Sequence, residues 1–187
     1  MKIILASGSP RRQQLMQLAG IPCEIIVSGV DETIEGEPHE QVRGLALRKA
    51  RAVRDSLSES AIVIGADTLV YIDGMVLGKP HDTGEAFKML RLLSGRMHHV
   101  YTGVALLKGD YEHVFADVTE VYFHELSDEE INEYIKTGEP FDKAGAYGVQ
   151  ERGAVLVDKV NGDFYTVVGL PISKVSRALS EIDWKTT

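Results

Sequence analysis

An aspartate set directly after an unbroken apolar run is the strongest chemical signal in this chain. Residues 61–65 read Ala-Ile-Val-Ile-Gly, and Asp67 follows in Ala66-Asp67-Thr68. A carboxylate placed there is costly to bury unless it meets a metal, a cation or backbone donors, which makes Asp67 the leading catalytic candidate. A second signal is Ser7-Gly8-Ser9-Pro10-Arg11-Arg12. Open N–H groups at a helix start, the positive helix end and two adjacent arginines favour a phosphate or another anion. The alternative for this segment is an ordinary capped helix with two solvated arginines. It is not a P-loop, because the four-residue spacer and the Gly-Lys-Ser/Thr ending are missing.

Lys49 is the third signal. It falls among Val42, Leu45, Ala46, Ala50, Val53 and Leu57 on the apolar stripe of a helical pattern, while Arg43, Arg48, Arg51 and Arg54 point elsewhere. Either its stem packs while the ammonium reaches water, or the ammonium is aimed at a site. Arg48, one residue away on another face, is then the natural contrast, a cation whose loss should matter little. Glu32 in an acidic loop, Lys79 in Leu77-Gly78-Lys79-Pro80 and Lys143 in Asp142-Lys143-Ala144-Gly145 are weaker signals. Taken singly, loop charges of this kind are mostly surface groups.

The elements that must position these residues follow from periodicity and turn chemistry. Residues 2–6 read as a buried strand, followed by a loop and a helix with Ser9 as N-cap, Pro10 at its first position and Gly20 past its end. A strand over 23–28 leads through an acidic loop into a long helix over 38–57, and the strand over 61–65 ends at Asp67. Asp73-Gly74 marks a hairpin, and Asp82 with Glu85 opens a helix that runs to about 93. Strands over 97–107 and 111–123 form a longer hairpin, and a helix starts at Ser127 with Glu130 and stops at Gly138. Asn161-Gly162 joins strands over 154–160 and 164–168, and Pro171 opens the last helix. The expectation is an α/β protein with a mixed sheet. Such sheets bind ligands at strand ends, where Ser7–Arg12 and Asp67-Thr68 fall.

Composition narrows the partners. With 187 residues, 44% hydrophobic and 26% charged, the chain suits one domain or two tightly joined lobes of a single core. A net charge of −8 argues against coating nucleic acid, which needs clustered Lys and Arg. The apolar runs are too short to span a membrane and the N-terminal one lacks a signal-peptide pattern, so a soluble cytoplasmic protein is expected. Cys23, the single cysteine, excludes a disulfide framework and reads as a buried filler. His98 and His99 would face opposite sides of a strand, and the other histidines have no ligand spacing, which argues against zinc. No Gly-x-Ser-x-Gly elbow is present.

Taken in order, Ser7-Gly8-Ser9-Pro10-Arg11-Arg12, Gly65-Ala66-Asp67-Thr68, Leu77-Gly78-Lys79-Pro80, Leu93-Ser94-Gly95, Lys143-Ala144-Gly145-Ala146-Tyr147-Gly148-Val149-Gln150 and Gly169-Leu170-Pro171 span nearly the whole chain. This series resembles the Maf proteins, the septum-inhibitor-related family. The resemblance implies a single elongated two-lobed α/β domain over 1–187, a mixed twisted sheet flanked by helices with a central cleft, similar to inosine triphosphate pyrophosphatases and commonly homodimeric. It implies a pyrophosphatase that acts on dTTP, UTP and some modified pyrimidine nucleotides with a divalent cation, Mg²⁺ or Mn²⁺. By motif, Ser7, Arg12, Glu32, Lys49, Asp67 and Lys79 would form the catalytic and phosphate-binding set, with Asp67 and Glu32 on the metal. Arg11, Thr68 and Gln150 would set base preference. A sister branch, similar to a 7-methyl-GTP pyrophosphatase, carries an aromatic residue in place of Arg11 and Gln and Glu in place of Thr68 and Gln150. This chain departs from the commonest pattern at Glu151, where glycine is usual, and at Asp31, where glutamate is frequent. A nucleotide sensor acting on cell division with little turnover is the other function to weigh, with a nucleic-acid-binding role third.

Overall fold

The computed structural model describes residues 1–182. Seven strands form one sheet: β1 (Ile3–Leu5), β2 (Glu24–Ile25), β3 (Ile62–Ile72), β4 (Met75–Leu77), β5 (Met97–Lys108), β6 (Tyr111–Phe123) and β7 (Val157–Asn161). The order is β2-β1-β3-β5-β6-β7, with β4 paired to β3. β1 runs parallel to β2 and β3, whereas β3–β4 and β6–β7 are antiparallel, so the sheet is mixed as expected. The helices are α1 (Pro10–Leu18), α2 (Pro38–Arg54), α3 (Thr83–Leu93), α4 (Asp128–Ile135), α5 (Phe164–Val168) and α6 (Ile172–Glu181). Among the described residues no helix is long and apolar enough to cross a membrane.

Two compact units divide the chain. The first comprises Met1–Asp67, Thr102–Asp117 and the described residues from Gly169; the second comprises Thr68–Tyr101 and Val118–Val168. In the first unit, Ile4, Ala6, Val63, Ala105 and Leu107 of the strands pack with Ala46, Ala50 and Val53 of α2. At two points the backbone of the helix comes directly onto the strands, because the residues beneath it there are Gly65 and Gly103. A Cβ at Gly65 would come within 2.2 Å of the Ala46 carbonyl oxygen, and one at Gly103 within 2.2 Å of that of Val42. Val63, Gly65 and Asp67 share one face of β3 by strand alternation, so α2 bears down on the face that carries Asp67.

The second unit packs α3 and α4 around Val70, Leu90, Leu93, Val121, Phe123 and Tyr147. Both helices start as their sequences predict. The Asp82 carboxylate accepts from the Glu85 N–H at 2.8 Å, and Ser127 with Glu130 forms a complete capping box. Asp73 and Gly74, at φ +51 and +80, close the two-residue turn between β3 and β4. Within this core, His98 is fully buried, with Nε2 2.7 Å from the Tyr147 hydroxyl and Nδ1 without a hydrogen-bond partner among the described residues. Burial, with a smaller push from His99, lowers the His98 pKa from 6.5 to about 3. The folded protein therefore keeps His98 neutral where the unfolded chain protonates it, so stability is complete above pH 6.5 and is lost as pH falls from there toward 3. The loss should approach about 1.4 kcal/mol per pH unit. Denaturant titrations between pH 4 and 7 on the parent and on His98→Phe should give a shallower acid slope in the variant; identical slopes would place the acid sensitivity elsewhere.

Several sequence expectations need correction: the strand expected over 23–28 is only Glu24–Ile25, and the helix expected over 38–57 ends at Arg54. β3 does not stop at Asp67 but continues through Leu69-Val70-Tyr71-Ile72 to the Asp73-Gly74 turn. It is β1 that ends there: the parallel β1–β3 ladder closes with the Ala6 N–H on the Ile64 carbonyl at 2.7 Å. Residues 164–168 form α5 rather than a strand, despite their aromatic and β-branched composition. Asp163 caps them through its carboxylate on the Tyr165 N–H at 2.9 Å, and its own carbonyl is held by Thr119 Oγ1 at 2.9 Å. Residues 154–156 lie in a 3₁₀ segment, Glu151–Leu156, so β7 is shorter than expected. Cys23 is half-buried rather than buried, and desolvation raises its thiol pKa.

Candidate active site

In the first unit, the three acid–base residues singled out by sequence meet at one atom. The Lys49 ammonium lies 2.7 Å from Asp67 Oδ1 and 2.6 Å from Glu32 Oε1. Lys49 and Asp67 are buried, with side chains 9% and 12% exposed, while Glu32 is 58% exposed and forms the solvent edge of the group. Lys49 therefore does not snorkel; the close approach of α2 to Gly65 brings its ammonium to Asp67. The loop carrying Glu32 is held by Arg48, whose Nη1 donates to the carbonyls of Asp31 at 2.8 Å and Thr33 at 3.1 Å. Arg48 is thus no idle contrast to Lys49. Within that loop the Asp31 carboxylate accepts from the Thr33 N–H at 2.8 Å, which lowers the Asp31 pKa.

Arg12 ties the Ser7 loop to the start of α6. Its Nε donates to the Gly169 carbonyl at 2.8 Å and its Nη1 to Ser7 Oγ at 3.0 Å. Burial lowers the Arg12 pKa, and the charges of Asp67 and Glu32 oppose that shift while Arg11 adds to it. The guanidinium is therefore close enough to feel both carboxylates. Ser9 occupies the N-cap of α1 without a side-chain cap bond, and no acidic residue stands in the first turn. The early N–H groups of α1, flanked by half-buried Arg11 and Arg12, keep the character of an anion site.

The remaining candidates belong to the second unit. Thr68 follows Asp67 on β3 and is half-buried; Lys79 is exposed; Gln150 is half-buried. The loops bearing Lys79 and Gln150 are joined, since the Gly145 N–H donates to the Gly78 carbonyl at 3.0 Å. Gly145, at φ +69, is where the chain turns under Val70, and a Cβ there would lie 2.9 Å from that side chain. Lys143, expected to be a surface charge, is buried, 8% exposed. Leu93-Ser94-Gly95 forms a joint with the loop before α4: Ser94 Oγ accepts from the Leu126 N–H at 2.7 Å.

Among the described residues, no group of three or more His, Cys, Asp or Glu side chains converges. The Glu32–Asp67 pair nonetheless fits a divalent cation, because both carboxylates already close on one positive centre at 2.6–2.7 Å. Mg²⁺ is commonly held by one or two carboxylates with water and phosphate oxygens completing its shell.

Comparison with known proteins places the chain in a family. Residues 2–182 match the family model described as Maf-like protein. The "dTTP/UTP pyrophosphatase" of Bacillus cytotoxicus is 53% identical over 184 residues, 97% of this chain and 96% of that protein. That of Bacillus cereus strain ZK is likewise 53% identical, with the same coverage. The Staphylococcus aureus Ham1 protein shares the fold at a TM-score of 0.52 and 14% identity, covering 98% of this chain and all of that one. With a family match over nearly its full length and relatives 53% identical across it, the chain belongs to the family of Maf-like proteins.

Proposed function

We propose that this protein hydrolyses dTTP and UTP to the nucleoside monophosphate and pyrophosphate. The observation that carries the reading is the convergence of Asp67 and Glu32 on the Lys49 ammonium, with both carboxylates also acting on the charge of Arg12. Near-full-length relatives bearing the name dTTP/UTP pyrophosphatase support it. Asp67 accepts the proton of the attacking water on a carboxylate oxygen as that water adds to the α-phosphorus and the bond to the pyrophosphate oxygen breaks. Lys49, Arg12 and Lys79 offset the negative charge of the triphosphate and of the leaving pyrophosphate, while Ser7 and the α1 N–H groups orient phosphate oxygens. Asp67 and Glu32 would hold Mg²⁺ or Mn²⁺, which when bound supplies Lewis-acid charge to phosphate oxygens and acidifies water.

Base preference falls to Arg11, Thr68 and Gln150. Uracil and thymine offer acceptors at O4 and O2 and a donor at N3, which the Gln150 amide can meet with its own donor and acceptor. Arg11 donates only, so it suits a carbonyl and opposes the amino group of cytosine. A buried unpaired group costs about 1–3 kcal/mol, or roughly 5- to 150-fold in selectivity. The resemblance also supports a cytoplasmic homodimer whose partner is a nucleoside triphosphate rather than nucleic acid or a membrane.

Release of pyrophosphate from UTP, dTTP, CTP and GTP, with and without Mg²⁺ or Mn²⁺, tests the proposal. UTP and dTTP should be turned over in preference to CTP and GTP, and only with the cation. Tight nucleotide binding without pyrophosphate release would replace the enzyme with a nucleotide sensor.

A further inference from the structure

Apart from Lys49 and Asp67, Lys143 is the one charged side chain buried among the described residues, and nothing in the proposed chemistry uses it. Its ammonium donates to the Glu139 carbonyl at 2.8 Å and to Asp142 Oδ1 at 2.7 Å, so its charge is satisfied entirely by nearby residues of its own segment. Its stem runs against Gly148, where a Cβ would lie 2.7 Å from Lys143 Cε and 2.9 Å from Cδ. The Gly148 N–H donates to the Tyr134 hydroxyl at 3.1 Å, and Tyr147 reaches His98. On the other side, the Glu139 carboxylate accepts from the N–H groups of Arg152 and Gly153, each at 3.3 Å. Gly153 itself lies so close that a Cβ would sit 2.0 Å from the Gly148 carbonyl oxygen.

Gln150 stands between these two pinned stretches. The residue after it, Glu151, has φ +55, a left-handed conformation that a non-glycine residue holds only where its surroundings enforce it. A half-exposed glutamine on an unsupported loop would sample many orientations and could not discriminate one donor–acceptor pattern from another. Here residue 139 grips both sides: its carbonyl takes Lys143, whose stem holds residue 148, and its carboxylate takes residues 152 and 153.

We propose that Lys143 and Glu139 are positioning residues that clamp the backbone on either side of Gln150 and thereby set the preference for uracil and thymine over cytosine. The proposal rests on the reading of Gln150 as a base-contacting residue. Its test is a set of double-mutant cycles on selectivity, kcat/KM for UTP divided by kcat/KM for CTP. The variants are Lys143→Met, which keeps the stem and removes the ammonium, Glu139→Ala, Gln150→Ala, and each clamp variant combined with Gln150→Ala. Lys143→Met and Glu139→Ala should each lower the selectivity about tenfold through UTP, with CTP turnover nearly unchanged, as expected for a misplaced hydrogen-bond partner. In the Gln150→Ala background neither should change it further.

Equal losses on UTP and CTP, or clamp effects that persist in the absence of Gln150, would reduce Lys143 and Glu139 to structural supports and overturn the clamp. If Gln150→Ala lowers selectivity and both clamp variants leave it intact, the clamp fails while Gln150 keeps its role. If Gln150→Ala leaves selectivity intact, the base-contact reading fails and the clamp falls with it. Should Lys143→Met not fold, Glu139→Ala decides the question, because its side chain is half-exposed and the variant keeps the carbonyl that binds Lys143.

Discussion

Asp67→Asn should lower turnover of UTP by about 10²- to 10⁴-fold while the protein stays folded, the range expected when a positioned acid–base group is removed. Asparagine keeps the shape of the side chain, and its amide oxygen can still accept from Lys49, whose ammonium also keeps Glu32 at 2.6 Å. Packing beneath α2 depends on Gly65 and Gly103 and is untouched. In the proposed mechanism, what is lost is a charged oxygen that would take a proton from water and help hold a divalent cation. The measurement is kcat for pyrophosphate release at saturating Mg²⁺, with a thermal melt to establish that the variant is folded. A folded variant working at near-parent rates would remove Asp67 from the chemistry and leave it as the buried counter-charge of Lys49.

Much of this group was legible in the sequence, for reasons particular to its residues. Lys49 stood out because the 3.6-residue period of α2 places it among Val42, Ala46, Ala50 and Val53, all of which are buried. Asp67 stood out because six apolar or small residues precede it. Its strand was nevertheless ended too early: a polar pair inside β3 looks like a boundary, whereas the boundary is the end of its neighbour β1. Residues 164–168 misled for the opposite reason, since local composition favours a strand and only the hydrogen bonds around Asp163 turn them into a helix.

Side-chain partners distant in sequence were the least legible. A helical period says which face Arg48 occupies, but not that residues 31–33 return to cover that face and take its guanidinium. Lys143 gave no periodic signal, because its burial comes from Gly148 and Glu139 rather than from a helix or strand pattern. The trace available was the density of glycine around it, at Gly145 and Gly148, where the chain needs unusual φ or close approach. Glu151 holds φ +55, a left-handed conformation that favours glycine, so the glycine that the resemblance leads one to expect there has a backbone reason, and nothing in the structure explains the glutamate.

Lys49→Met should lower kcat by about 10²- to 10³-fold, comparable to removing a preorganised charge donor from a reaction centre. Methionine retains an unbranched stem of similar length, so the contacts of Lys49 within the α2 stripe survive and only the ammonium is lost. If packing were the whole role of this side chain, the variant would work as the parent does. In the proposed role it removes the cation shared by Asp67 and Glu32 and one of the charges offered to the triphosphate. Arg48→Ala releases two backbone carbonyls beside Glu32, each bond contributing about 0.5–1.5 kcal/mol to holding the loop, and because only part of that reaches kcat through Glu32 the effect should be real but about tenfold. Arg43, exposed on the same helix, provides the true contrast, and Arg43→Ala should change kcat about twofold or less. The ranking Lys49, then Arg48, then Arg43, measured as kcat for UTP at saturating Mg²⁺, separates a group at the reaction centre from one that steadies a loop and from one that does neither. Three equally small effects would mean that the convergence on Lys49 holds the fold together without serving the chemistry.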